Sequence, residues 1–174
     1  MKKLSMLLMV LVLTMGLLVG CGSSDDKENN NNQGSSNKEQ AYTGYAFEIN
    51  GTKIELNAKM EPIAAALGEP DSYFESESCA FQGLDKVYTY GSAVITTYPE
   101  DGVDYVYTIE LKDDTVETAE GLYIGASKDD VLKTYGDEAE DLDAGIFCTK
   151  GESELVFLMD GDVVTNIVYK AITE

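Results

Sequence analysis

The sequence predicts a mixed helix-and-sheet domain of two tandem units, each a short helical segment followed by an antiparallel strand meander. Three observations carry that expectation. Apolar runs separated by Asn-Gly and Asp-Gly pairs mark strands joined by tight turns. Two short stretches with one apolar face stop at Gly68 and Gly136, where glycine supplies the left-handed end of a helix. The second stretch and its lead-in repeat the first 68 positions later, which sets the units at about 44–118 and 119–174.

The elements follow in chain order. Tyr45 to Asn57 reads as a hairpin, YAFEIN and KIELN, around an Asn50-Gly51 turn of type I′. MEPIAAALG follows as a helix, with Pro62 in its first turn, where a missing N–H is harmless. Strands are expected at KVYTY, AVITTY and VDYVYTIEL, the last two joined at Pro99-Glu-Asp-Gly102. In VDYVYTIEL, alternation puts Val103, Tyr105, Tyr107, Ile109 and Leu111 on one apolar face, which predicts that both tyrosines belong to the core. The second unit opens at Gly121-Leu-Tyr-Ile-Gly-Ala and enters KDDVLKTYG. Ser127 is placed to cap that helix, and Asp129 and Asp130 lie at its positive end. IFCTK, ELVFLMD and DVVTNIVYKA complete the second meander, the last two joined at Asp160-Gly161. Overlaid, Leu56 meets Ile124, Ala58 meets Ala126, Ile63 meets Val131, Leu67 meets Tyr135 and Gly68 meets Gly136.

Ahead of this domain, Lys2 and Lys3 precede an apolar run from Met6 to Val19, short for a spanning helix of about 20 residues but suited to an export signal. Leu18-Val19-Gly20-Cys21 resembles the lipobox of bacterial lipoproteins. That resemblance implies a diacylglyceryl group on the Cys21 thiol and cleavage after Gly20, making residues 1–20 a lipoprotein signal peptide. It also implies palmitate-type acyl chains; two chains anchor stably where one does not. Residues 21–43 then form a lipidated cysteine and a polar tether, too poor in apolar residues to order itself. Ser35-Ser-Asn-Lys38 matches an S-x-x-K string, but in a tether no pocket can form around it. The arginine-free composition rich in Asn, Lys and Asp suggests a Gram-positive host. The expected location is the extracytoplasmic face of the cell membrane, with residues 44–174 as the displayed domain.

Thirty-two acids against twelve lysines leave a net charge of −20, or −22 once Lys2 and Lys3 leave with the signal. Nucleic acid is therefore excluded as a partner. The chain has no histidine, which removes Ser-His-Asp and Cys-His chemistry and the commonest metal ligand. No cofactor, metal site or catalytic residue is expected, and the protein reads as not an enzyme. The acid cluster Asp137–Asp143 fails as an EF-hand, because Ile146 stands where the loop glycine belongs, and reads as a solvated loop. Cys79 and Cys148 remain as an even pair in an exported domain, which favours a disulfide worth on the order of 4 kcal/mol. Tyr88, Tyr90 and Tyr98 are the candidate exposed aromatic patch for a protein partner.

Ile124-Gly-Ala-Ser127, Val131 and Tyr135-Gly136, with Ala66-Leu-Gly-Glu-Pro70 in the first unit, resemble two related families. One is the β-lactamase-inhibitor-protein fold of two tandem helix-and-sheet repeats; the other is the small outer-membrane-assembly lipoproteins. The resemblance implies an α+β fold whose curved sheet carries helices on one face and offers the other to a partner. No inhibitory residue can be matched, so β-lactamase inhibition is not implied. The expected function is a lipid-anchored, non-enzymatic protein-binding or envelope-assembly module. The alternatives are an envelope sensor for a small ligand or cation, and a carboxylate-based cell-wall hydrolase.

Overall fold

The computed structural model describes residues 41–173. The expectations for the signal segment, Cys21 and nearly all of the tether lie outside the described residues. A hairpin, β1 (Ala46–Ile49) and β2 (Thr52–Glu55), leads into helix α1 (Met60–Leu67) and four strands: β3 (Ser72–Glu77), β4 (Leu84–Tyr90), β5 (Ala93–Glu100) and β6 (Val103–Leu111). Helix α2 (Lys128–Tyr135) and a single 3-10 turn, Gly136–Glu138, precede four more: β7 (Ala139–Leu142), β8 (Gly145–Lys150), β9 (Ser153–Asp160) and β10 (Val163–Ala171). The eight strands β3 to β10 form one antiparallel sheet in the order β3-β4-β5-β6-β10-β9-β8-β7.

The expected α+β class is corrected to a mostly β fold, with 50% strand against 14% helix among the described residues. The reason is length. Each helix has only eight residues, about two turns, and cannot form a layer of its own. The buried cluster takes Met60 and Ile63 from α1 and Val131 and Tyr135 from α2, and as much again from Phe47, Ile49 and Ile54 of the hairpin. No helix among the described residues is long and apolar enough to cross a membrane.

Local sequence explains the joints. Asn50 and Gly51 both have positive φ, as a type I′ turn requires. Each helix is entered from an extended segment bonded to the last strand of the meander that follows it. Asn57 N–H donates to Val106 and Val106 N–H to Ala58, both at 2.9 Å. Gly125 N–H donates to Val164 at 2.8 Å and Val164 N–H to Ala126 at 2.9 Å. These paired bonds sit where β6 and β10, which pair with each other only at Thr108–Leu111 and Ile167–Lys170, run beyond one another.

Two strands have no counterpart in the sequence expectation: β3 and β7, the two margins of the sheet. β7 falls inside the acid cluster read as a loop. The face assignment of β6 is also corrected. Thr96 pairs with Thr108 but Thr97 with Val106, so Tyr107 is an extra, bulged residue. The bulge shifts the alternation by one. Val106, Ile109 and Leu111 face the core, and Tyr105 leaves it to lie against Tyr98 on the other side.

Candidate functional site

Directly opposed residues of an antiparallel sheet share a face, so the register sorts every side chain to one side or the other. One row on the covered face runs Tyr88, Ile95, Ile109, Tyr169, Leu155, Cys148. The corresponding row on the opposite face runs Val87, Thr96, Thr108, Lys170, Glu154, Thr149, and beside it lie Val94, Glu110, Val168, Val156 and Phe147. None of these open-face side chains belongs to the buried cluster under the helices and hairpin. Most of these positions are half-buried; threonine and valine dominate, with Glu110, Glu154 and Lys170 among them, and the rows cross the six inner strands.

At the β6 bulge this face carries an aromatic cluster. Tyr98 packs against Phe81 of the β3–β4 loop at 4.9 Å between ring centres, against Tyr105 at 5.7 Å and against Tyr107 at 5.8 Å. Offset and edge contacts of this kind add specificity beyond the area they bury. The bulge is what brings two tyrosines of one strand to the same neighbour.

The three tyrosines singled out in the sequence do not come together as one patch. Tyr88 and Tyr90 lie on the covered face, opposite Ile95 and Ala93, and the Tyr90 hydroxyl donates to the Gly68 carbonyl at 3.3 Å. Tyr98 lies on the open face, and its hydroxyl donates to Asn57 Oδ1 at 3.1 Å. Burial raises the pKa of all three. Tyr98 anchors the aromatic cluster, whereas Tyr105 and Phe81, which sequence alternation hid, supply its outer wall.

The disulfide expectation is corrected: Cys79 and Cys148 are both free thiols. Cys79 is exposed in the loop after β3, and Cys148 is buried on β8, with five strands between β3 and β8. A bridge needs Cα atoms within roughly 7 Å, which that separation prevents. Burial, reinforced by Glu138 and Glu120, pushes the Cys148 thiol up to about 12. It is therefore protonated at neutral pH and is no nucleophile.

Carboxylates meet tyrosines at the second helix. Tyr45 donates to Glu138 at 2.8 Å and Tyr135 to Glu120 at 2.7 Å. Burial raises both phenols well above their ordinary value, so these contacts are hydrogen bonds between a neutral phenol and an acid. Asp141, from the acid cluster, pairs with Lys128 at 2.8 Å. Among the described residues no group of three or more acids or cysteines is arranged to hold a metal ion. A cleft of about 380 Å³ between the hairpin and β4–β5 is lined by Phe47, Leu67 and Tyr90; its Asp71 carboxylate already accepts the Gly91 N–H at 2.7 Å.

A family model described as a domain of unknown function, DUF7738, matches residues 41–165, which is 125 of the 174 residues. No curated protein and no solved structure matches the chain.

Proposed function

We infer that this chain, a member of the DUF7738 family, is a protein-binding module that uses the open face of its sheet and, from the lipobox-like Leu18-Val19-Gly20-Cys21 sequence, that it is held outside the cell membrane by lipid on Cys21. The observation that carries this reading is that face itself. Valine, threonine and tyrosine side chains, with Glu110, Glu154 and Lys170 among them, line this face across the six inner strands, while the buried cluster of hairpin and helices lies on the other side among the described residues. Flat surfaces that present rigid aromatics beside small β-branched residues suit a protein partner, because the aromatics anchor at low entropic cost. The lack of histidine removes Ser-His-Asp and Cys-His chemistry, and the buried, protonated Cys148 is no nucleophile, which supports binding over catalysis.

The test is site-specific photo-cross-linking in the native envelope. A photoreactive residue at Thr96 or Thr108, on the open face, is expected to capture one saturable partner, and the same group at Lys133 on α2 is expected to capture none. Equal capture from all three positions, or none from any, would reject the reading. For the anchor, Cys21→Ser is expected to abolish incorporation of labelled palmitate and release the chain from the membrane fraction; retention of label would reject lipidation.

A further inference from the structure

Resting on the protein-binding reading, we propose that β3 is an acceptor edge for an extended peptide whose side chains alternate between cationic and apolar, added as a ninth strand. β3 is the outermost strand, all six of its residues are exposed, and no strand pairs with its outer edge among the described residues. Its register with β4 is continuous from Ser72 to Glu77, so it is an unbulged strand offering every second N–H and carbonyl outward. Proline, lysine and bulges, three of the devices that block such an edge, are absent from it, and its only charges are Glu75 and Glu77. The opposite margin is guarded differently: β7 has only four residues and is tied to α2 through Asp141 and Lys128.

The side chains of β3 define the occupant. Tyr73, Glu75 and Glu77 project to one side, and the Tyr73 hydroxyl donates to Glu75 at 2.6 Å, holding that carboxylate in place. Glu75 stands opposite Lys86, but Lys86 instead pairs with Asp104 at 2.7 Å, and Glu77 stands opposite Leu84. Neither glutamate forms an ion pair among the described residues. To the other side, Phe74 is 63% exposed and begins the row that continues through Val87 and Thr96. An added strand meets two carboxylates without an ion-pair partner among the described residues on one side and a largely exposed phenyl ring on the other. Cationic residues satisfy the first and apolar residues the second, in the period-two alternation of a strand. A second copy of this chain does not fit, since each carries a net charge of −20.

The experiment uses the whole chain and a fluorescent peptide of alternating Lys and Val, about ten residues long. Two further peptides are N-methylated at every second residue, one in each phase, and a fourth alternates Glu and Val. The expected results are saturable binding of the Lys/Val peptide, hydrogen-exchange protection of the Ser72–Glu77 amides, and loss of binding on N-methylation in one phase only. Glu75→Lys with Glu77→Lys, both at exposed positions, is expected to leave thermal unfolding unchanged and weaken binding at least about tenfold. The same double variant is expected to gain binding of the Glu/Val peptide. Binding that tolerates both N-methylations, or protection away from β3, overturns strand addition. If the Lys/Val peptide fails to bind while Thr96 still captures a saturable partner, the edge proposal falls and the open-face reading stands. Failure of both removes both.

Discussion

At the centre of the sheet the two meanders are hard to tell apart. Asn57 and Gly125, 68 positions apart, each take positive φ and each donate to the first part of a last strand, β6 or β10. Toward the margins they diverge. In the second meander β8 is sealed: Ile146 and Cys148 are fully buried, Gly145 sits against the Phe157 carbonyl, and Tyr135 closes over Phe157 at 5.4 Å. In the first, β3 is bare on both sides, and Tyr73 and Phe74 are 49% and 63% exposed. Both margins, β3 and β7, are largely exposed, but the buried β8 lies one strand in from β7. The difference lies in what covers it. The 3-10 turn lies on β8, α2 contacts β7 and Tyr45 packs against Tyr135, whereas the main contacts of α1 are with β2 and β6.

Thiol chemistry gives the largest expected contrast. Iodoacetamide at neutral pH is expected to modify Cys79 readily and Cys148 only through unfolding, at least about a thousandfold more slowly. Peptide mapping of the labelled chain reads this; comparable rates would show that β8 opens locally. The pH dependence has a definite sign. Native Cys148 keeps a proton that the unfolded chain releases near its ordinary 9.0, so its contribution is whole below about pH 9 and is lost as pH rises toward about 12. The urea midpoint is expected to fall over that window, and to fall less in Cys148→Ala. Tyr135 and Tyr169, both raised by burial, act in the same direction at the alkaline end.

Packing gives the next contrast. Phe157→Ala, in the buried β9 beside β8, is expected to cost about 3–5 kcal/mol, and Phe74→Ala, on bare β3, less than about 0.5 kcal/mol in urea unfolding. Similar values would mean that β3 is covered in solution. Backbone space follows. A Cβ at Gly145 would strike the Phe157 carbonyl at φ +143°, while one at Gly91 would meet nothing at φ +56°. Gly145→Ala should therefore cost about 2–4 kcal/mol and Gly91→Ala about 1–2 kcal/mol. Capping gives the smallest. Ser127 accepts the Asp130 N–H and starts α2, whereas Lys59 starts α1 with no side-chain cap. Ser127→Ala is expected to cost about 1 kcal/mol and Lys59→Ser to gain up to about 1 kcal/mol, both read from the shift in thermal midpoint.

Much of this molecule is written in local chemistry. The Asn50-Gly51 turn, both helix stops, the Ser127 cap and the six inner strands follow from turn residues and from apolar periodicity, which act over a few neighbours. The margins are not legible in that way. SYFESE and AEDL carry no alternation of polar and apolar residues, because β3 has no buried side and β7 only a half-buried Ala139, and they are strands because β4 and β8 supply hydrogen-bond partners. The face of Tyr105 was hidden for a related reason. Strand alternation assumes an unbroken register, and the bulge at Tyr107 exists only where β5 and β6 meet. The sequence by itself determined the turns, the caps and the apolar content of each inner strand. Only the tertiary structure decided which face each strand presents, which cysteine is sealed and which edge is left open, because these depend on contacts between residues far apart in the chain.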